Sequence, residues 1–237
     1  MNKLAALVPM RHHSQRVPGK NLRLLAGKPL FHHILGILQA VPEIDEIFVD
    51  TDSEPILEGI RQNFPKVRTL IRPEHLRADD VPMNEILIHD TNQVDAEFYL
   101  QTHSTNPLLK PATISRAVES FFNAYPSRNS LFSVTRLLTR LYDKDGIAIN
   151  HNPSELIQTQ HLPPVFEENS CLYIFTRKNL VEKRHRISDQ AMLFEMDSGE
   201  AWDIDGELDF EICDFLLKRR VQLSSFQEYN GSTGGRK

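Results

Sequence analysis

Arg11, Arg16 and Lys20 share one polar stretch, Pro9 to Asn21, directly after the short aliphatic run Leu4 to Val8. Three cations beside Ser14, Gly19 and unpaired backbone amides are what a loop needs to wrap a polyphosphate. The stretch is not a Walker A loop, because Gly19-Lys20 is followed by Asn21 and not by Ser or Thr. Taken alone, it also fits a solvated basic surface. Far along the chain stand Asp203 and Asp205, one residue apart. In an extended segment such a pair projects to one side, and two carboxylates facing a polyphosphate suit Mg²⁺. Glu207 and Asp209 fit the first turn of a helix, where acids complement the helix dipole. His12 and His13 read as polar loop residues and not as metal ligands. Cys171 and Cys213 have no metal-binding spacing and read as packed thiols.

The elements that must carry these groups alternate. Leu4–Val8 reads as a strand, Leu30–Leu38 as a helix, Ile44–Val49 as a strand and Pro55–Asn63 as a helix with its proline in the first turn. Val67–Ile71, Met83–Asn92, Ala96–Leu100, Pro111–Ala124 and Ser130–Thr135 continue the alternation of strand and helix. This predicts an α/β, doubly wound, mainly parallel sheet, Rossmann-like, with helices on both faces. In such sheets ligands bind beyond the carboxyl ends of the strands, so the loops leaving them take priority. From about 137 to 168 the texture turns to Asn, Asp, Pro and His, which suits a protruding arm and a dimer contact. Ser170–Phe175 returns to the sheet, Trp202–Ile204 is a last extended piece, and Glu207–Lys218 is an amphipathic helix. One domain over 1–224 is expected, with a disordered tail over 225–237.

Composition narrows the partners. With 27 Lys and Arg against 32 Asp and Glu, the net charge of −5 offers no bulk attraction for nucleic acid or an anionic membrane. No apolar stretch reaches the roughly 18 residues of a membrane span. Met1–Met10 lacks the apolar core and cleavage site of a signal peptide, so a cytoplasmic location is expected.

The motifs Val8-Pro9-x-Arg11-x-x-Ser14, Pro18-Gly19-Lys20-Asn21 and Leu25-Ala26-Gly27-Lys28-Pro29-Leu30 resemble the N-terminal signature of the acylneuraminate cytidylyltransferases. The resemblance implies that Arg11 and Lys20 bind the triphosphate of CTP, with Asn21 near the nucleotide. His12 and His13 stand where the family has two glycines, and Gln15 where it has a lysine that Arg16 replaces. Thr51-Asp52 resembles the Ser/Thr-Asp after the second strand, and Arg72-Pro73-x-x-Leu76 the segment whose arginine holds the base, with Asn84 opening the next helix beside the same pocket. Gln101-Thr102-His103-Ser104-Thr105-Asn106-Pro107-Leu108 resembles the sugar-facing loop, with His103 in place of Gln and Asn106 in place of Ser. Trp202-Asp203-Ile204-Asp205 resembles the Val-Asp-Ile-Asp segment, which makes Asp203 and Asp205 the ligands of Mg²⁺. Glu168-Asn169-Ser170-x-x-Tyr173 resembles the strand lining the sugar side, with Ser170 in place of glycine. Gln160-x-Leu162-Pro163 resembles a segment near the acceptor or the arm, and Arg140 is the nearest cation to a family lysine that has no clean match. An arginine there holds an anion but cannot lose a proton.

What the resemblance implies is transfer of CMP from CTP to the anomeric hydroxyl of a sialic-acid-like 2-keto-3-deoxy sugar acid, by a homodimer that uses Mg²⁺. Other acceptors stay open: a Kdo-type octulosonate, a legionaminic or pseudaminic acid, or another metabolite. So does a catalytically silent nucleotide-binding or dimerisation scaffold.

Overall fold

The computed structural model describes residues 3–14 and 16–233, with side chains as far as residue 223. Strand β1 (Leu4–Met10) is buried along its whole length, as its run of aliphatic residues requires of a strand covered on both faces. After the polar loop and a 3-10 turn (Lys20–Leu22) comes a small hairpin, β2 (Leu24–Leu25) and β3 (Lys28–Pro29), whose turn residues Ala26 and Gly27 both have positive φ, 47° and 84°. Helix α1 (Leu30–Gln39), β4 (Glu46–Thr51), α2 (Glu54–Asn63), β5 (Val67–Ile71), α3 (Met83–Thr91), β6 (Phe98–Gln101), α4 (Pro111–Ala124) and β7 (Ser130–Leu137) follow. After the arm come β8 (Val165–Thr176), α5 (Arg177–Lys183), β9 (Ala191–Glu195) and α6 (Glu207–Thr233).

The seven long strands form one sheet in the order β5-β4-β1-β6-β8-β7-β9. Only β8 runs against its neighbours. The sheet is therefore mainly parallel, as the alternation of strand and helix implies. Alternate residues of β1 feed two cores. Leu4, Ala6 and Val8 pack with Phe31, Ile34, Ile60, Ile114 and Phe121 of α1, α2 and α4. Ala5 and Leu7 pack with Leu87, Tyr99, Phe175 and Leu180 on the face covered by α3 and α5.

A third, smaller cluster positions the site. Val17 from the first loop, Leu108 from the loop after β6, and Ile204 meet Leu25, Leu30, Phe210 and Cys213, all but Phe210 with no surface left exposed. Burying side chains of this size contributes about 1.5–3 kcal/mol each. Three loops that are far apart in sequence are thus fastened by apolar burial, with their polar residues left on the cleft side.

Several boundaries differ from the sequence expectation. β8 begins at Val165, because its first residues extend the antiparallel pairing with β7 as far as Leu137 opposite Val165. The arm is accordingly the open end of this ribbon, 138–164, with one isolated bridge between Tyr142 and Ala148. α5 and β9 were not anticipated: the first is one short amphipathic stretch, and β9 is an edge strand with alternating exposure. Trp202–Ile204 pairs with no strand among the described residues. α6 runs on to Thr233, so the expected disordered tail is helical over 225–233, and 234–237 lie outside the described residues, as does Gln15.

Candidate active site

The carboxyl ends of β1, β5 and β6 open into a cleft of about 620 Å³. Gly19, at φ 63°, supplies the left-handed residue that turns the first loop into its 3-10 turn and brings Lys20 inward. Lys20 Nζ donates to the Ile204 carbonyl at 2.7 Å, and Ile204 N donates to the Thr105 carbonyl at 3.0 Å. The two aspartates flanking Ile204 consequently face the same cleft as Lys20. Burial lowers the Lys20 ammonium pKa, with Asp203 and Asp205 opposing the shift. Burial also raises Asp203, against the hydrogen bond from Thr105 and the charges of Lys20 and Arg16. Asp203 Oδ1 is buried without a partner, whereas Asp205 pairs with Arg16 at 2.7 Å on the open side.

Arg11 lines the cleft and pairs with Asp79. Asn21 spans two loops: its Nδ2 donates to the Arg11 carbonyl at 3.2 Å and its Oδ1 accepts from Ser104 Oγ at 2.7 Å. Ser14 also lines the cleft, its Oγ 3.4 Å from Val17 N. The base of the first loop is tied down by Asp52, which accepts from His12 N at 2.8 Å, and by Ser53 Oγ, 2.7 Å from His12 Nδ1. Asp52 thus acts on the loop and does not itself line the cleft. The histidine in place of a glycine adds a side-chain anchor there.

At the other end, Arg72 is only 1% exposed, its Nε donating to Asp50 Oδ2 at 2.8 Å. Its Nη1 has no partner. Asp90 lies in the same buried group, pushed up to about 8 by burial and then by the Asp50 charge. Both effects favour the protonated form of Asp90. His103 lines the cleft with its Nε2 3.0 Å from Gln101 Nε2, and is held down to about 3 by burial and by the Arg186 and Lys20 charges. It is a neutral imidazole under any ordinary condition.

Cations from the first loop, a carboxylate pair on Ile204, and a recessed arginine on one cleft are the parts of a nucleotidyl-transfer site. Residues 5–221 match the family model described as Cytidylyltransferase. The chain belongs to the cytidylyltransferase family. A relative from Legionella pneumophila named CMP-N,N'-diacetyllegionaminic acid synthase is 32% identical over 228 residues, covering 91% of this chain and 97% of the relative. An Escherichia coli N-acylneuraminate cytidylyltransferase is 23% identical, covering 95% of this chain and 55% of the relative. The solved structure of a CMP:2-keto-3-deoxy-manno-octonic acid synthetase complexed with CTP superposes with a TM-score of 0.69 at 15% identity, covering 92% of this chain and 99% of the other, a likeness of fold.

In this cytidylyltransferase the remaining sequence candidates divide. Thr105 lines the cleft; Asn106 is buried behind it, with Nδ2 3.4 Å from the Trp202 carbonyl. Asn169 is a bracket, accepting from Ser133 Oγ at 2.6 Å and donating to Thr135 Oγ1 at 2.9 Å. Tyr173 lies under the floor, its ring covered by the Arg186 guanidinium at 3.6 Å. Ser170, in the family's glycine position, keeps a left-handed backbone at φ 58° and lines the cleft. Asn84 Oδ1 holds the Arg186 backbone N–H at 3.3 Å. Arg140 and Gln160 do not enter the cleft of their own chain: Arg140 donates to the Ile157 carbonyl and Gln160 to Gln158, both within the arm. Sequence reasoning missed Asp50, Asp79, Asp90 and Arg186. The only signal for them was their charge, too common along the chain to single out four residues.

Among the described residues no group of three or more His, Cys, Asp or Glu forms a ready metal cage. Asp203 and Asp205 fit Mg²⁺ of the kind that draws its remaining ligands from substrate phosphate and water, and the partnerless Asp203 Oδ1 is the observation that supports this. No helix in the described residues is long and apolar enough to cross a membrane.

Proposed function

We propose that the chain transfers CMP from CTP to the anomeric hydroxyl of a 2-keto-3-deoxy sugar acid of the sialic-acid-like kind, releasing pyrophosphate. The reading is carried by the Lys20–Ile204 hydrogen bond, which sets the triphosphate cations against Asp203 and Asp205 in one cleft. The anomeric oxygen bonds to the α-phosphorus as the bond to the β-phosphate oxygen breaks, a reaction that needs positioning and charge neutralisation more than a protein nucleophile. Lys20, fixed by a backbone carbonyl, holds phosphate oxygens. Arg11 and Arg16 exchange Asp79 and Asp205 for phosphate. Arg72 Nη1, recessed and partnerless, suits a carbonyl oxygen of the base. Asp203 and Asp205 would hold Mg²⁺, which supplies Lewis-acid polarisation of the α-phosphate.

The Legionella relative supports an acceptor of the legionaminic branch of these acids, and the neutral His103 beside Ser170 supports an acceptor side different from the family's glutamine and glycine. Exposed Leu138, Ile147, Ile149 and Leu156 on the arm support a homodimer. A silent scaffold is not favoured, since both charged halves of the site share one cleft. The test is a panel of 2-keto-3-deoxy acids with CTP and Mg²⁺, scored by pyrophosphate release and product mass. A CMP conjugate of one sugar acid is expected; CTP turnover indifferent to all of them would sink the reading.

A further inference from the structure

Five cations line the cleft, and the protein treats one of them differently. Arg11, Arg16 and Arg72 each pair with a carboxylate, and Lys20 has a carbonyl ligand with two aspartates nearby. Arg186, in the segment between α5 and β9, makes no ion pair among the described residues, and its Nη1 is buried without a hydrogen-bond partner. Yet it is held firmly in place. Its guanidinium lies 3.6 Å over the Tyr173 ring, and its backbone N–H is held by Asn84 from α3. Tyr173 is in turn fixed through its hydroxyl, which donates to Glu168. Ser170 and His103, both lining the cleft, complete this wall, and His103 is neutral. Among the described residues, the wall therefore carries one guanidinium with no carboxylate in ion-pair contact.

Resting on the proposed transfer to a sugar acid, we infer that Arg186 is the residue that binds the acceptor's carboxylate. A guanidinium stacked on an aromatic ring keeps its in-plane N–H groups for a planar anion. Placing that carboxylate also matters for the reaction. In the ring form of a 2-keto acid it is bonded to the carbon bearing the attacking hydroxyl, so anchoring it orients that hydroxyl.

The experiment compares wild type, Arg186→Gln and Arg186→Lys with the acid acceptor found by the panel, its methyl ester, and a counterpart lacking the acylamino groups. Each is measured as KM in turnover, or Ki as an inhibitor, with CTP affinity and Tm as controls for folding. Arg186→Gln is expected to raise KM for the acid by about 10- to 100-fold, the size of a lost charge-assisted contact, and to leave the ester and CTP affinity unchanged. Arg186→Lys recovers part of the loss. An unaltered acid-to-ester preference in Arg186→Gln overturns the assignment alone. A loss confined to the preference for acylamino groups likewise overturns it, because the guanidinium would then serve an amide carbonyl. A wild-type enzyme that conjugates no member of the panel overturns both this assignment and the reading beneath it.

Discussion

The two ends of the cleft hold their arginines in opposite ways. At the first-loop end, Arg11 and Arg16 are paired with Asp79 and Asp205 near the surface, with about half or more of each side chain still in solvent. Exposed pairs of this kind contribute about 0–1 kcal/mol, so a triphosphate displaces them at little cost. At the base end, Arg72 and Asp50 are both 1% exposed, and separating such a pair costs about 3–5 kcal/mol. One end is built for exchange and the other for fixed geometry. The difference suits the nucleotide proposed above: phosphates would bring enough charge to compete for loose cations, whereas a neutral base would need a donor already aimed.

The largest effect is expected where exchange meets chemistry. Asp205→Ala removes an exposed carboxylate whose loss releases Arg16 and exposes no core. Turnover with Mg²⁺, CTP and acceptor is expected to fall on the order of 1000-fold, with Tm almost unchanged. Near-normal pyrophosphate release by this variant would show that the carboxylate pair does not hold the metal, and would reduce the first-loop end to a phosphate grip.

The next effect lies on the bridge between the two ends. Ile204 is fully buried among Val17, Leu108 and Phe210, and its backbone binds both Lys20 and Thr105. Ile60, equally buried in the main core, touches no part of the cleft. Both Ile→Ala changes are expected to cost about 2–5 kcal/mol of stability. Only Ile204→Ala should also lower kcat, by about 10- to 100-fold well below its Tm, because a small displacement of the carboxylates is costly at a reacting phosphorus. Equal kcat values for the two variants would mean that the apolar cluster supports the fold without aligning the site.

The two ends were also unequally legible in the sequence. The first loop and the Asp203–Asp205 pair could be found because their chemistry lies in local spacing and in strand-end position. Helix α4 and strand β5 were readable to the residue, since each is a periodic run bounded by proline or polar residues. Arg72 was recognised, but its partners were not. Asp50 lies near the end of a buried strand and Asp90 near the end of a helix, and nothing local says that burial sets Asp50 on the Arg72 guanidinium with Asp90 close enough to feel both charges. Arg140 and Gln160 show the opposite case: they matched by order along the chain, and the β7–β8 ribbon carries that segment into the arm, one of the two places expected for Gln160, and away from the cleft of its own chain. Arg186 follows an irregular stretch, Lys183–Arg184–His185, that offered only charge.

The smallest effect, a slope of stability against pH, sharpens the contrast at the base end. Folded Asp90 keeps its proton to about pH 8, while in the unfolded chain it loses it near 4. Raising the pH between those values therefore favours the unfolded chain, and the contribution is flat below about 4 and above about 8. His32, His33 and His103 act in the other direction: their lowered values mean that stability falls as pH drops below about 6.5, where the unfolded histidines take up protons. The window from about pH 7.5 to 8 separates the two, since there, a full unit above the unfolded histidine value of about 6.5, the histidines are neutral in the fold and nearly so outside it. Over that window wild-type Tm is expected to decline with rising pH, and Asp90→Asn, which keeps the shape without the titration, should flatten the decline while leaving CTP affinity at pH 7 within about twofold, roughly 0.4 kcal/mol. An Asp90→Asn slope as steep as wild type would mean that Asp90 is already ionised across this window and that the decline has another source.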